Sequence, residues 1–292
     1  NKSFSIFEKE IKEKSKILKG IISQSSFLVL GGAGSIGQEV VKLLFKSNPK
    51  KIHVVDISEN NLVELVRDIR SSFGYIDGDF SVYALDISSN QYDKFISNDG
   101  NYDYVLNLSA LKHVRSEKDP YTLMRLIETN IFNVEKTIQH SISKGTKKYF
   151  SVSTDKAANP ANIMGASKRI MELFMFKYSN KISVSSARFA NVLFSDGSLL
   201  FSFNQRLLKN QPIVAPSDIK RYFISKEEAA ELCIMAAIFG ENRDIFFPKL
   251  NPDQDLKTFK ELAVSFLDAK GYSVLECSSK KEARHKVKNK TS

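Results

Sequence analysis

Residues 27–37 read Phe-Leu-Val-Leu-Gly-Gly-Ala-Gly-Ser-Ile-Gly: an apolar run suited to a buried strand, then glycines at 31, 34 and 37. Gln38 to Phe45 follow at once as a helix-forming stretch. A strand that turns through glycines into a helix is built for phosphate. The glycines let backbone approach a pyrophosphate, and the helix N-terminus favours its charge. Gly31, Gly34, Ser35, Ile36 and Gly37 are therefore candidate cofactor-binding residues. About twenty residues on, Ile52–Val55 reads as a second strand ending in Asp56, where an acid meets the adenosine ribose. A carboxylate there accepts bonds from free ribose hydroxyls and repels a 2′-phosphate. Ile57, Ser58 and Glu59 supply no compensating cation, so the spacing points to NAD rather than NADP.

The same alternation repeats along the chain. Ser81–Leu85 runs to Asp86, Tyr104–Leu108 to Ser109 and Ala110, Lys148–Val152 to Thr154, and Ile182–Ala187 to Arg188 and Asn191. Helical patterns lie between these runs. Such a chain forms right-handed βαβ units and a Rossmann-like parallel α/β sheet, with ligand beyond the carboxyl ends of its strands. On that edge Asp86 and Ile87 are candidates for the adenine, and Asn107, Ser109 and Ala110 for the nicotinamide side. Phe7, Ile11, Leu18 and Ile22 stand at helical intervals near the start. After residue 192 the pattern loosens, punctuated by Pro212, Pro216, Pro248 and Pro252. The expected organisation is a leader helix over 1–24, an NAD-binding domain over 25–191, a smaller C-terminal substrate lobe over 192–278, and a basic tail over 279–292.

The net charge of +10 invites a polyanion partner. Its distribution argues otherwise: much of the excess sits in the last thirteen residues, through Lys280, Lys281, Arg284, Lys286, Lys288 and Lys290. No basic stripe interleaved with aromatics appears, so nucleic-acid binding is not expected. No apolar run approaches the ~20 residues of a membrane span. Cys233 and Cys277 are few and far apart, giving no basis for a disulfide framework or a metal site. These features suit a cytoplasmic enzyme with a small anionic substrate.

Residues 154–168 narrow the chemistry most. Thr154, Asp155 and Lys156 set a hydroxyl, an acid and an amine side by side at a strand end, and Met164 and Lys168 follow four apart on one helix face. With Gly-Gly-Ala-Gly-Ser-Ile-Gly at 31–37, Ala-Leu-Lys-His-Val at 110–114, Thr129-Asn130, Gly-Ala-Ser-Lys-Arg at 165–169, Arg-Phe-Ala-Asn-Val at 188–192 and Arg221-Tyr-Phe, the chain resembles the extended short-chain dehydrogenase/reductases. Within them it is similar to the nucleotide-sugar 4,6-dehydratases of bacterial surface-glycan pathways, and to those acting on nucleotide-linked N-acetylglucosamine in bacillosamine and legionaminic acid biosynthesis. The resemblance covers residues 25–270. Relatives usually carry Tyr where this chain has Met164, although several of the N-acetylglucosamine enzymes share the Met.

The resemblance implies oxidation at C4, loss of water across C5 and C6, and return of the hydride to C6, leaving a 4-keto-6-deoxy sugar and regenerated NAD. It makes Asp155 the acid for the departing 6-hydroxyl, Lys156 the base at C5, Thr154 a partner of the C4 oxygen, and Lys168 a partner of the nicotinamide ribose. A thioether cannot exchange a proton, so the C4 hydroxyl proton goes elsewhere: to Asp155, to Lys168 or to water. Lys112, Arg188, Asn191 and Arg221 become substrate-binding candidates. GDP is favoured over UDP, and retention over inversion at C5, since the inverting relatives carry Tyr. At least a homodimer is implied. Longer relatives continue past the point where this chain turns basic, so part of the lobe is expected to lie beyond it. A 4-epimerase and a catalytically silent NAD-binding scaffold are the competing readings.

Overall fold

The computed structural model describes residues 5–251 and 255–289. Strands β1 (Ser26–Leu30), β2 (Lys51–Asp56), β3 (Asp79–Ala84), β4 (Tyr104–Asn107), β5 (Lys148–Val152) and β6 (Ser183–Ala187) fall on the six apolar runs, with ends moved by a residue or two. Between and before them come helices α1 (Glu8–Ser23), α2 (Ser35–Phe45), α3 (Glu59–Phe73), α4 (Asn90–Asp99), α5 (Pro120–Ile127), α6 (Asn133–Ser143) and α7 (Ile163–Lys177). Later elements are β7 (Asn191–Val192), α8 (Leu199–Leu208), β8 (Lys220–Ile224), α9 (Lys226–Phe239), β9 (Asp244–Phe246) and β10 (Leu256–Thr258), then helices Phe259–Ala269 and Lys280–Asn289.

Seven strands form one sheet in the order β3-β2-β1-β4-β5-β6-β9, every neighbouring pair parallel. The order reverses between β1 and β4, where Leu30 stands beside Asn107. A crevice opens at such a switch point, because the two connections leave in opposite directions. The strands are buried on both faces, as in Phe27–Leu30 and Lys148–Val152, which suits a sheet covered by helices on each side. Polar side chains start the helices. Ser58 accepts from Asn61 N on α3, Asp119 from Thr122 N on α5, and Asn162 from Gly165 N on α7.

The chain divides into two compact units. The first holds the described residues up to Phe189 together with Glu227–Pro248, and the second takes Ala190–Lys226 and the described residues from Lys249 on. The expected boundaries therefore need correcting, since α9 and β9 return to the first unit from within the span assigned to a substrate lobe. In α9 everything from Glu228 to Ile238 except Glu231 is buried. A helix covered on all sides carries no amphipathic stripe, so periodicity could not mark it. The leader helix begins only at Glu8, because the chain before it is held by α9: Ser5 Oγ donates to Glu231 at 2.5 Å and Ile6 N to Glu228 at 3.1 Å. In the second unit β8 pairs parallel with β7 and antiparallel with β10. There α8 packs on helix Phe259–Ala269 through Leu200, Phe203, Ala263 and Phe266. The expected basic tail is a helix over Lys280–Asn289, with Ser279 accepting from Glu282 N and Lys286 paired with Glu282 at 2.7 Å. Residues 290–292 lie outside the described residues.

One charged group ties three elements of the first unit together. Glu172 of α7 is fully buried. It accepts from Ser153 Oγ (2.6 Å), from Arg188 through Nε (2.8 Å) and Nη2 (2.5 Å), and from Arg169 Nη1 (3.2 Å). Burial alone would push this carboxyl up, but the bonds from Arg188 and Ser153 overcome it and hold it below the ordinary glutamate range. A carboxyl depressed in the folded state stabilises above its unfolded pKa, about 4.3, and loses that contribution as pH falls through the lower folded value. Thermal melts should show an acid-side loss of stability below about pH 4.3 that Glu172→Gln lacks. Glu172→Ala, which strands Arg188, should cost about 3–5 kcal/mol in denaturant unfolding.

Candidate active site

Gly31 adopts φ 70°, the left-handed region that favours glycine, and its N–H bonds Val55 O at 2.8 Å. A Cβ on Gly31 would lie 2.7 Å from Ser109 N, so the turn passes hard against the start of the loop after β4. A Cβ on Gly37 would stand 2.3 Å from Gly31 O, which makes this glycine the close contact between turn and helix. Gly34 differs: its nearest neighbour would be Gly31 O at 3.4 Å, leaving open ground where a pyrophosphate can approach. Ser35 and Ile36 open α2, whose first N–H groups have no partner within the helix. Asp56 fastens the turn, accepting from Ala33 N (3.0 Å) and Ser58 N (2.9 Å). Each carboxylate oxygen has a second lone pair, so acceptor capacity for a ribose hydroxyl remains.

Other edge residues have more internal roles than expected. Asp86 bonds Ser88 N and Oγ, both at 2.8 Å. The Ile87 side chain packs in the core beside Leu30 and Val55. Asn107 is fully buried, donating to Tyr149 Oη (2.9 Å) and accepting from Ser109 N (3.0 Å). Ser109 and Ala110 are half-buried at the crevice.

At the end of β5 the predicted row forms. Thr154 Oγ1 donates to Asp155 Oδ1 at 2.9 Å, and Lys156 Nζ reaches the same oxygen at 3.0 Å. Both Asp155 and Lys156 remain open to solvent. The row is held against α7 by Gly165, whose absent Cβ would lie 2.8 Å from Lys156 O. Met164 is buried in the first turn of that helix, and its N–H bonds Glu117 Oε1 at 3.1 Å. Lys168 is buried, donating to Val152 O at 3.0 Å and lying 3.5 Å from Met171 Sδ. Burial pushes its amine down to about 8, an effect Glu172 partly opposes.

Arg188, expected at the substrate, closes on Glu172 of the preceding helix α7 through Nε and Nη2, a paired contact with a buried carboxylate. Lys112 is exposed in the loop after β4. Asn191 and Arg221 belong to the second unit, where Asn191 Nδ2 donates to Tyr222 O (3.3 Å) and the exposed Arg221 to Lys220 O (2.8 Å). Among positioning side chains, Glu117 and Glu172 escaped the sequence reading, and Asn130 entered it only as part of a motif, with no role assigned. Asn130 sits in the π-helical turn Glu128–Phe132, bonding Leu111 N (3.0 Å), Leu111 O (2.9 Å) and Ser167 Oγ (3.0 Å). It ties the loop after β4 to α7. The Thr129-Asn130 dipeptide was a usable signal; nothing local marks the other two.

The Methanocaldococcus jannaschii protein MJ1061, described as an uncharacterized membrane protein, is 32% identical over 87% of this chain and 75% of its own length. A UDP-N-acetylglucosamine 4,6-dehydratase (inverting) of Campylobacter jejuni is 28% identical over 77% of this chain and 67% of its own. The X-ray structure of Pen from Bacillus thuringiensis superimposes with TM-score 0.75 at 26% identity, covering 85% of this chain and 75% of that one. Other curated relatives are longer, and the chain spans only 38% and 42% of two of them. Residues 27–284 match the family described as polysaccharide biosynthesis protein. With that match over most of its length, on a Rossmann-like parallel sheet, the chain belongs to the polysaccharide biosynthesis protein family.

Proposed function

We propose that this chain is an NAD-dependent nucleotide-sugar 4,6-dehydratase acting on UDP-linked N-acetylglucosamine and retaining the C5 configuration. The observation that carries it is the hydrogen-bonded row Thr154–Asp155–Lys156, whose backbone lies against Gly165 of α7. An epimerase needs no such acid–base pair. The uridine-linked substrate named for the Campylobacter jejuni relative supports UDP over the guanine form favoured by sequence resemblance. Retention rests on Met164, which removes a second proton-handling group.

The open ground over Gly34, the opening of α2 and the Asp56 carboxylate suit NAD, with Ser109 and Ala110 at the nicotinamide half. When bound, NAD supplies the hydride acceptor for C4 and the donor for C6. This chain's residues move the protons. The C4 hydroxyl proton passes to Thr154 Oγ1, whose own proton moves to Asp155 Oδ1 along the existing bond. Asp155 is then the protonated acid that releases the 6-hydroxyl as water. Lys156, acting as the free amine once substrate parts it from Asp155, takes the C5 proton and later returns it to C5 on the same face. Asp155 and Lys156 end as they began, and the sugar has lost one water. Lys168 holds positive charge beneath the site.

Mass spectrometry after incubation with UDP- and GDP-N-acetylglucosamine separately, with NAD, should show loss of one water from the uridine sugar alone. An unchanged mass with an inverted C4 centre would make the chain an epimerase. Lys156→Ala and Thr154→Val should each lower kcat by about 10²–10⁴-fold. Lys168→Met should abolish turnover yet raise stability at pH 7 by on the order of 1–3 kcal/mol, since it removes a desolvated amine.

A further inference from the structure

Behind the crevice runs a line of hydrogen bonds with one consistent direction. The Ser109 N–H can only donate, so the Asn107 side-chain oxygen, 3.0 Å away, must face it. The Asn107 amide nitrogen therefore faces Tyr149 Oη at 2.9 Å, and the phenol accepts there. The phenol's own proton goes to Thr137 Oγ1 at 2.8 Å. Thr137 in turn donates to the carbonyl of Asn133, 2.8 Å away on its own helix. Asn107 and Tyr149 are wholly buried and Thr137 is 1% exposed, so these three side chains are shut off from bulk water. At its outer end the line meets the glycine turn, because Ser109 N is the atom that a Cβ on Gly31 would strike at 2.7 Å.

We infer that Tyr149 is a positioning residue for the nicotinamide half of the crevice. It fixes the Asn107 amide so that its oxygen holds the Ser109 backbone. The inference rests on the reading that the crevice takes NAD. Asp56, at the end of β2, lies in the half of the sheet that meets adenosine. Ser109 follows β4, across the switch point, in the half that meets the nicotinamide nucleotide. Without the phenol oxygen, the Asn107 N–H has no acceptor in a dry interior, and rotating the amide to find one takes its oxygen from Ser109. Phe at 149 would keep the ring packing against β4 and β6 while deleting only that oxygen.

The test is calorimetric titration of the chain with NAD and with ADP-ribose, which shares everything but the nicotinamide. Tyr149→Phe should raise the Kd for NAD about 5–30-fold and leave that for ADP-ribose within about twofold, the cost of one unmet buried donor falling on one half of the ligand. Thr137→Val, which removes the acceptor of the phenol's proton from the far end of the line, should give the same pattern with smaller amplitude. It carries the test if Tyr149→Phe does not fold. Equal weakening of both ligands would reduce Tyr149 to general stability and overturn the inference, as would unchanged NAD binding in both variants. A wild-type chain that binds neither ligand would sink the cofactor reading, and this inference with it.

Discussion

Glu172 keeps a charge where no water reaches it, and the geometry of the site follows from how that charge is met. Arg188 approaches it from the end of β6, Ser153 from the end of β5, and Arg169 from its own helix. A buried carboxylate with one partner missing is costly, so these elements cannot shift apart by a fraction of an ångström without penalty. Thr154 is the next residue after Ser153, and Lys168 lies one turn before Glu172 on the same helix. The ion cluster thus sets the distance between the two groups of residues that the proposed chemistry must bring together.

Lys168 and Met164 sit on that fixed helix in contrasting surroundings. The Lys168 amine is buried with a backbone carbonyl as its oxygen partner, and desolvation pulls it down to about 8. Met164 packs in the space beside Glu117, whose carboxylate holds its backbone rather than its side chain. The row of Thr154, Asp155 and Lys156 is joined by its own hydrogen bonds and is open to solvent at Asp155 and Lys156. Rigid packing therefore surrounds Met164 and Lys168, while the acid and amine remain free to separate around a ligand.

The sheet was legible because its signal is local. Strands such as Phe27–Leu30 are continuous apolar runs, and the turns after them carry glycines and acids at fixed offsets. Later segments were harder. Strands β7, β9 and β10 have two or three residues each, too few for any period to register, and α9 is buried all round. Arg188 was hard to place for a related reason. Its motif marks a strand end, but whether an arginine there meets a ligand or a carboxylate depends on Glu172, sixteen residues earlier on another element.

Sequence alone determined the parallel α/β class, the position of the phosphate turn, and the neighbourhood of Thr154, Asp155, Lys156, Met164 and Lys168, because each depends on residues within a few positions of one another. Tertiary structure decided which polar side chains stay open at the strand ends and which are consumed inside the protein. Asn107 and Arg188 both stand at strand ends, yet both are turned inward by partners that folding alone supplies. A side chain's hydrogen bonds go to whatever lies within about 3 Å of it, and for residues at the edge of a sheet those neighbours come from distant parts of the chain.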